Sequence, residues 1–230
     1  MTTVISIGNV KGGVGKSTTA VQLALHAGAA GHRTLLVDAD PGRTALSWSA
    51  RADDWPHDRV PVMAYHHADL PRRLPGLAHG CDLVVIDAPH DPAGGVEVGV
   101  MLAAAIAVAD LLVVPTSPAG ADLDRLGDLL GAIEAEQGRR DLDWLVALVR
   151  VDLRRRTIAQ DMVSALVNRT PPLPVLPLAV SGDLGSYSTW VPERAAVEDA
   201  FGTARVLDEY AGLATAVLAR ALGRPVEVLV

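Results

Sequence analysis

The chain has 230 residues, half of them hydrophobic, enough to bury a sizeable core in one large α/β domain spanning 1–230. A formal net charge of −7 argues against a surface devoted as a whole to nucleic acid and leaves only a local basic patch for that task. The single cysteine, Cys81, excludes an internal disulfide and any CxxC redox or zinc site; it reads as a small core residue beside a strand.

In chain order, short apolar β-branched runs alternate with helix-length segments. The runs are TVISIG (3–8), RTLLVDAD (33–40), VPVMAY (60–65), DLVVIDAP (82–89), DLLVVPT (110–116), WLVALVRV (144–151) and LPVLPL (173–178). Continuous apolar runs of this length suit strands buried on both faces. Helices are predicted over 17–30, 95–108, 121–137 and 157–168, whereas Pro71 and Pro75 make 66–79 a poor helix. A loop with Ser181, Gly182, Gly185 and Ser188 leads to helical segments at 192–201 and 205–222, and the tail VEVLV reads as an edge strand. The pattern predicts a doubly wound, mostly parallel sheet with helices on both faces. The first apolar run leads into a glycine loop rather than a cleavage site, and the longest apolar stretch, 98–109, is too short to cross a bilayer. The chain therefore reads as soluble and cytoplasmic.

The loop NVKGGVGKST (9–18) holds both lysines of the chain, Lys11 and Lys16; the other basic side chains are 18 arginines. It follows the first strand and opens the first long helix, the context of a phosphate-binding loop. Backbone N–H groups from Gly12 through Gly13, Val14, Gly15 and Lys16 to Ser17 can turn inward around a phosphate. The helix N-terminus adds partial positive charge. Lys16 would reach the β- and γ-phosphates, Ser17 would offer its hydroxyl to Mg²⁺, and Thr18 stands by the α-phosphate. A compact ammonium suits such a cradle better than a planar fork. Position 10, where the usual GxxxxGK[ST] pattern starts on glycine, is Val10, and a lysine stands at 11. Two acidic strand ends follow, Asp38-Ala39-Asp40-Pro41-Gly42 and Leu83-Val84-Val85-Ile86-Asp87, both at the carboxyl ends that face the ligand crevice of such sheets.

KGGVGKS with the later DADPG resembles the deviant Walker A motif and second signature of the ParA/MinD family of P-loop ATPases, closest to the short ParA partition proteins. That resemblance implies the following roles. Lys11 crosses a homodimer interface to the phosphates of the partner subunit, sandwiching two ATP molecules. Asp40 orients the attacking water. Asp38 assists an Mg²⁺ water or holds its loop, and Asp87, a Walker B carboxylate, holds Mg²⁺ through water. Catalysis is then assigned to Lys11, Lys16 and Asp40, and metal binding to Ser17, Asp38 and Asp87. After Asp87 the family pattern xPP is replaced by Ala88-Pro89-His90, which puts His90 on a segment expected to sense the γ-phosphate, or simply on an exposed loop. Pro115-Thr116-Ser117-Pro118 with Asp122-Leu123, and Glu193-Arg194 with Gly202 to Val206, extend the resemblance to most of the chain. The asparagine that reads adenine in many relatives is missing after the sixth strand, so adenine preference rests on the resemblance alone.

Within that family, a membrane-bound MinD-like role lacks its basic C-terminal helix, because the last residues are PVEVLV. An iron–sulfur role lacks cysteines. The run Arg154-Arg155-Arg156, with Arg150 before it and Arg169 after the next helix, opposes the helix dipole and suits phosphate contact, though a solvated turn has the same composition. The expectation is an ATP-dependent switch that binds DNA non-specifically as a dimer, associates with the nucleoid in that state, and acts in plasmid or chromosome partition under a ParB-like stimulating protein. Positioning of a protein cargo, MinD-like spatial regulation, and an ATP-dependent synthetase or amidotransferase on the same fold are the alternatives.

Overall fold

A computed structural model describes residues 2–90, 96–118, 126–177, 179–182 and 185–224. Six strands form the main sheet: β1 (Thr3–Ile7), β2 (Thr34–Asp38), β3 (Val62–Ala64), β4 (Leu83–Asp87), β5 (Leu111–Thr116) and β6 (Asp143–Leu148). Their order is β3-β2-β4-β1-β5-β6, and every neighbouring pair is parallel. The expected doubly wound parallel sheet is what forms.

The runs are apolar throughout because both faces are covered. In β4, Val84 and Ile86 enter one core and Leu83 and Val85 the other. The first core packs under α3 (Leu70–Leu77), α4 (Val96–Val108), α5 (Leu126–Gln137) and α6 (Arg156–Val167). The second packs under α1 (Lys16–Ala29), α2 (Thr44–Arg51) and, beyond the short α7 (Ala195–Glu198), α8 (Asp208–Ala221). Alternate residues of one strand thus feed two cores, as a period of two requires.

Five local expectations are corrected. α3 forms despite its prolines: Pro71 falls in the first turn, where no donor is needed, and Leu70 and Leu74 are buried beneath it. α2 appears where no helix is expected, with Ala45 and Trp48 buried. Residues 173–177 make only a bridge from Val175 to Val146, since Pro174 and Pro177 have no N–H to extend a ladder. The expected loop at 181–188 is an antiparallel hairpin, β7 (Ala179–Gly182) with β8 (Gly185–Ser188). The expected helix over 192–201 shrinks to α7. Asp122-Leu123 and the VEVLV tail lie outside the described residues.

With all six strands parallel, every β-to-α loop emerges at one edge of the sheet. β1 is central, between β4 and β5, and the chain turns toward β2 on one side and β5 on the other. Such a reversal opens a crevice at the strand ends. The loops at 8–15, 39–43, 88–90, 117–118 and 149–152 all meet there.

Candidate functional site

The loop after β1 is held at its base by Asn9, which is 2% exposed. Its Nδ2 donates to the Pro115 carbonyl (2.9 Å), and its Oδ1 accepts from the Lys11 N–H (3.0 Å). Asn9 lies outside the KGGVGKS pattern, and its only trace in the sequence is an amide two residues before Lys11. Gly13 (φ 74°) and Gly15 (φ 82°) take the left-handed conformation that lets the loop curl before α1 begins at Lys16. Lys16 is 6% exposed, and its Nζ donates to the Lys11 carbonyl at 2.7 Å. Burial lowers its pKa, and the nearby Asp87 and Asp40 charges work against that shift.

Asp38 and Asp87 are register partners on β2 and β4, and both are fully buried. The Asp38 carboxylate accepts from the Leu46 N–H (2.9 Å) and the Asp40 N–H (3.2 Å), so it braces the loop and the start of α2. Of the two tasks left open for Asp38, loop holding is the one this geometry serves. Burial raises its pKa, and those two backbone bonds pull it down. Asp87 differs. Neither of its oxygens has a hydrogen-bond partner of normal geometry, although the Ser17 hydroxyl approaches closely enough to pull its pKa down. Burial dominates and raises the pKa to about 8. A fully buried carboxylate with two unserved oxygens beside a serine hydroxyl fits a magnesium ion that keeps most of its water shell. Among the described residues no three acidic, histidine or cysteine side chains are grouped so that they could hold a metal ion between them.

Asp40 lies beyond β2, with Oδ1 accepting from the Gly42 N–H (2.7 Å) and Oδ2 facing His90 Nδ1 (3.2 Å). Lys16, Ser17, Thr18, Asp40 and His90 line one cleft of about 520 Å³, whose far wall carries Pro192, Arg194 and Phe201. Lys11 does not line this cleft. It lines a second one, of about 650 Å³, on the outer flank of the same loop, with Gly12, Asp152, Arg155 and Ile158.

Arg150 stands in the wall between the two clefts and lines both. Its guanidinium donates to the Gly13 carbonyl (2.9 Å) and to Glu193 (3.2 Å), and its backbone holds φ 56°, a conformation a non-glycine residue adopts at some cost. Arg150 is thus placed at the loop rather than in the exposed run. Arg155 lines the outer cleft, whereas Arg154 points outward, its side chain 91% exposed and paired with Asp152 at 3.1 Å. Arg156 starts α6 and Arg169 lies exposed beyond its far end. Leu153 and Ile158 add exposed apolar surface beside the run. Among the described residues no helix is long and apolar enough to cross a membrane.

The profile of the CobQ/CobB/MinD/ParA nucleotide binding domain matches residues 5–183. The maintenance of carboxysome distribution protein A of Gloeobacter kilaueensis is 44% identical over 157 residues, covering 66% of this chain and 64% of that protein. The chromosome-partitioning ATPase Soj of Thermus thermophilus is 29% identical over 157 residues, covering 56% of this chain and 61% of its own. In both, the match spans less than two thirds of the relative's length. A solved structure of cobyrinic acid a,c-diamide synthase from Mycobacterium smegmatis, with a bound ATP analogue and magnesium, superposes with a TM-score of 0.70 at 22% identity, covering 96% of this chain and 95% of that one; this is a likeness of fold. With that profile matched over most of its length, the chain belongs to the CobQ/CobB/MinD/ParA nucleotide binding domain family.

Proposed function

We propose that this chain is a ParA-type ATPase that closes into a homodimer around ATP and Mg²⁺, binds DNA non-specifically in that state, and uses hydrolysis to let go. The observation that carries the reading is the split of two lysines across one loop. Lys16 faces the 520 Å³ cleft, and Lys11 lines the separate cleft on the outer flank. An ammonium on the outer flank is badly placed for its own nucleotide and well placed for that of a second copy. Triphosphate charge then makes pairing favourable.

Within each subunit, Lys16 and the loop N–H groups would hold the phosphates, with Ser17 and Asp87 holding magnesium, which neutralises phosphate oxygen charge when bound. Asp40 faces the same cleft and would orient the attacking water. No covalent intermediate is needed, because positioning and electrostatic stabilisation suffice for phosphoryl transfer. Arg154, Arg155, Arg156 and Arg169 supply the DNA surface, doubled in the dimer. The names of the relatives support a reading in which a large cargo is distributed. One is named for carboxysome distribution and the other for chromosome partitioning. The cargo of this chain is then a protein assembly or a DNA molecule, recruited through a stimulating partner protein.

The test is light scattering of the purified chain with ATP, ADP or no nucleotide, alongside DNA binding by fluorescence anisotropy. A dimer and DNA binding that appear only with ATP are expected. Lys11→Ala should remove both, and Arg155→Ala should spare the dimer while weakening DNA binding. If ATP alters neither oligomeric state nor DNA affinity, the switch reading is wrong. Turnover that depends on a small carboxylate substrate instead would place the chain with the synthetases of this fold.

A further inference from the structure

His90 touches both halves of the proposed machinery, and the cycle above leaves it without a task. Its Nδ1 lies 3.2 Å from Asp40 Oδ2. A carboxylate oxygen accepts, so the ring nitrogen facing it carries the hydrogen. The Asp40 Oδ1 already accepts from the Gly42 N–H within its own turn. The carboxylate is therefore held from two directions, by a local backbone donor and by a side chain 50 residues further along the chain. Asp40 is 14% exposed at its side chain and His90 41%, so the ring forms the solvent-side cover of the pair. The same ring rests on the phosphate-binding loop: a Cβ added to Gly12 would stand only 3.2 Å from His90 Cδ2. Glycine at 12 is what lets the imidazole come this close. One side chain thus spans the loop after β1, the loop after β2 and the segment leaving β4.

We propose that His90 is a positioning residue for Asp40. It fixes the rotation of the carboxylate so that the lone pairs not used by Gly42 and His90 face the cleft where water must attack. With Oδ1 alone bonded, the group could swing about its side-chain torsions. A second bond from a ring wedged against Gly12 removes that freedom, and such pre-alignment acts on rate rather than on binding. The proposal rests on the hydrolysis reading.

The experiment measures single-turnover ATP hydrolysis and ATP affinity for the full chain and for His90→Ala and His90→Asn. The asparagine Nδ2 sits at the same branch position as the histidine Nδ1, so it can restore the donor without the ring. His90→Ala is expected to slow hydrolysis about 10-fold while changing ATP affinity by no more than about twofold. His90→Asn is expected to recover most of that rate. Wild-type rate in His90→Ala, or a His90→Asn protein as slow as His90→Ala, overturns the proposal. So does a loss of affinity as large as the loss of rate, which would make His90 a part of the cleft wall only. A wild-type chain that binds ATP and never hydrolyses it sinks the hydrolysis reading itself, an outcome told apart by the unmutated protein.

Discussion

A buried carboxylate with few partners costs stability, and Asp87 is such a group, fully buried with only the Ser17 hydroxyl close by. In the unfolded chain it ionises near its ordinary value of 3.8; in the fold burial holds the proton on up to about pH 8. Its folded pKa is raised, so its stabilising contribution is complete below pH 3.8 and is lost as pH rises toward 8. The nucleotide-free protein should therefore melt at a lower temperature at pH 8 than at pH 6, and Asp87→Asn, which cannot ionise, should flatten that slope. At pH 8 the variant should melt higher, by about 2–4 °C for each kcal/mol recovered in a chain of this size. The same change should weaken magnesium-dependent ATP binding about 10–100-fold, the usual loss when a carboxylate behind the metal's water shell is removed. Thermal melts at two pH values and titrations with and without magnesium check both. Asp40 behaves differently: it has partners on both oxygens, and its replacement by Asn should spare ATP affinity within about threefold while abolishing turnover, a split read by binding and single-turnover assays.

Elements divide into those the pattern announces and those that tertiary contacts impose. β1, β2, β4 and β5 are readable because both faces are buried and the runs are unbroken. The glycine loop and the strand-end aspartates are readable because their chemistry needs particular residues at fixed spacing. α2 and α3 are short, eight residues each, and carry little periodicity; what stabilises them is burial of Trp48 and of Leu70 and Leu74. The β7–β8 hairpin is hidden by glycine and serine, which read as loop. His90 was visible as a break in the xPP pattern, but its contact with Asp40 joins segments 50 residues apart and only the fold shows it. Packing also overrides propensity within α1. Gly28 lies in the helix, where alanine would ordinarily add about 1 kcal/mol. Here a Cβ would fall 2.5 Å from Val60 Cγ2, a stiff branched side chain that is itself fully buried. Gly28→Ala should therefore destabilise, by about 1–3 kcal/mol, as overpacking does. A urea melt that shows stabilisation would mean α1 can shift away from Val60.

At the level of the assembly, an overall charge of −7 and a DNA-binding role are compatible only if the contacts are confined to one face. Arg154, Arg155 and Arg156 stand together at the start of α6, with Asp152 neutralising part of their charge. In two copies this run alone would present about six phosphate contacts, giving a log–log salt slope on the order of −5 before Arg169 is counted. Arg155→Ala, losing one contact per subunit, should reduce the steepness by about 2 and weaken binding to all sequences alike. Anisotropy titrations across a salt series read both quantities, and a slope that does not move would place the DNA elsewhere on the molecule.

The Lys16 ammonium rests on the carbonyl of Lys11, and an incoming phosphate competes for that same ammonium. In the proposed cycle, loading and pairing would then be ordered in time. The residue proposed to reach toward a neighbour is tethered through its own backbone until fuel arrives, so a subunit without fuel would be a poor mate, and two copies would meet productively only after both have been charged.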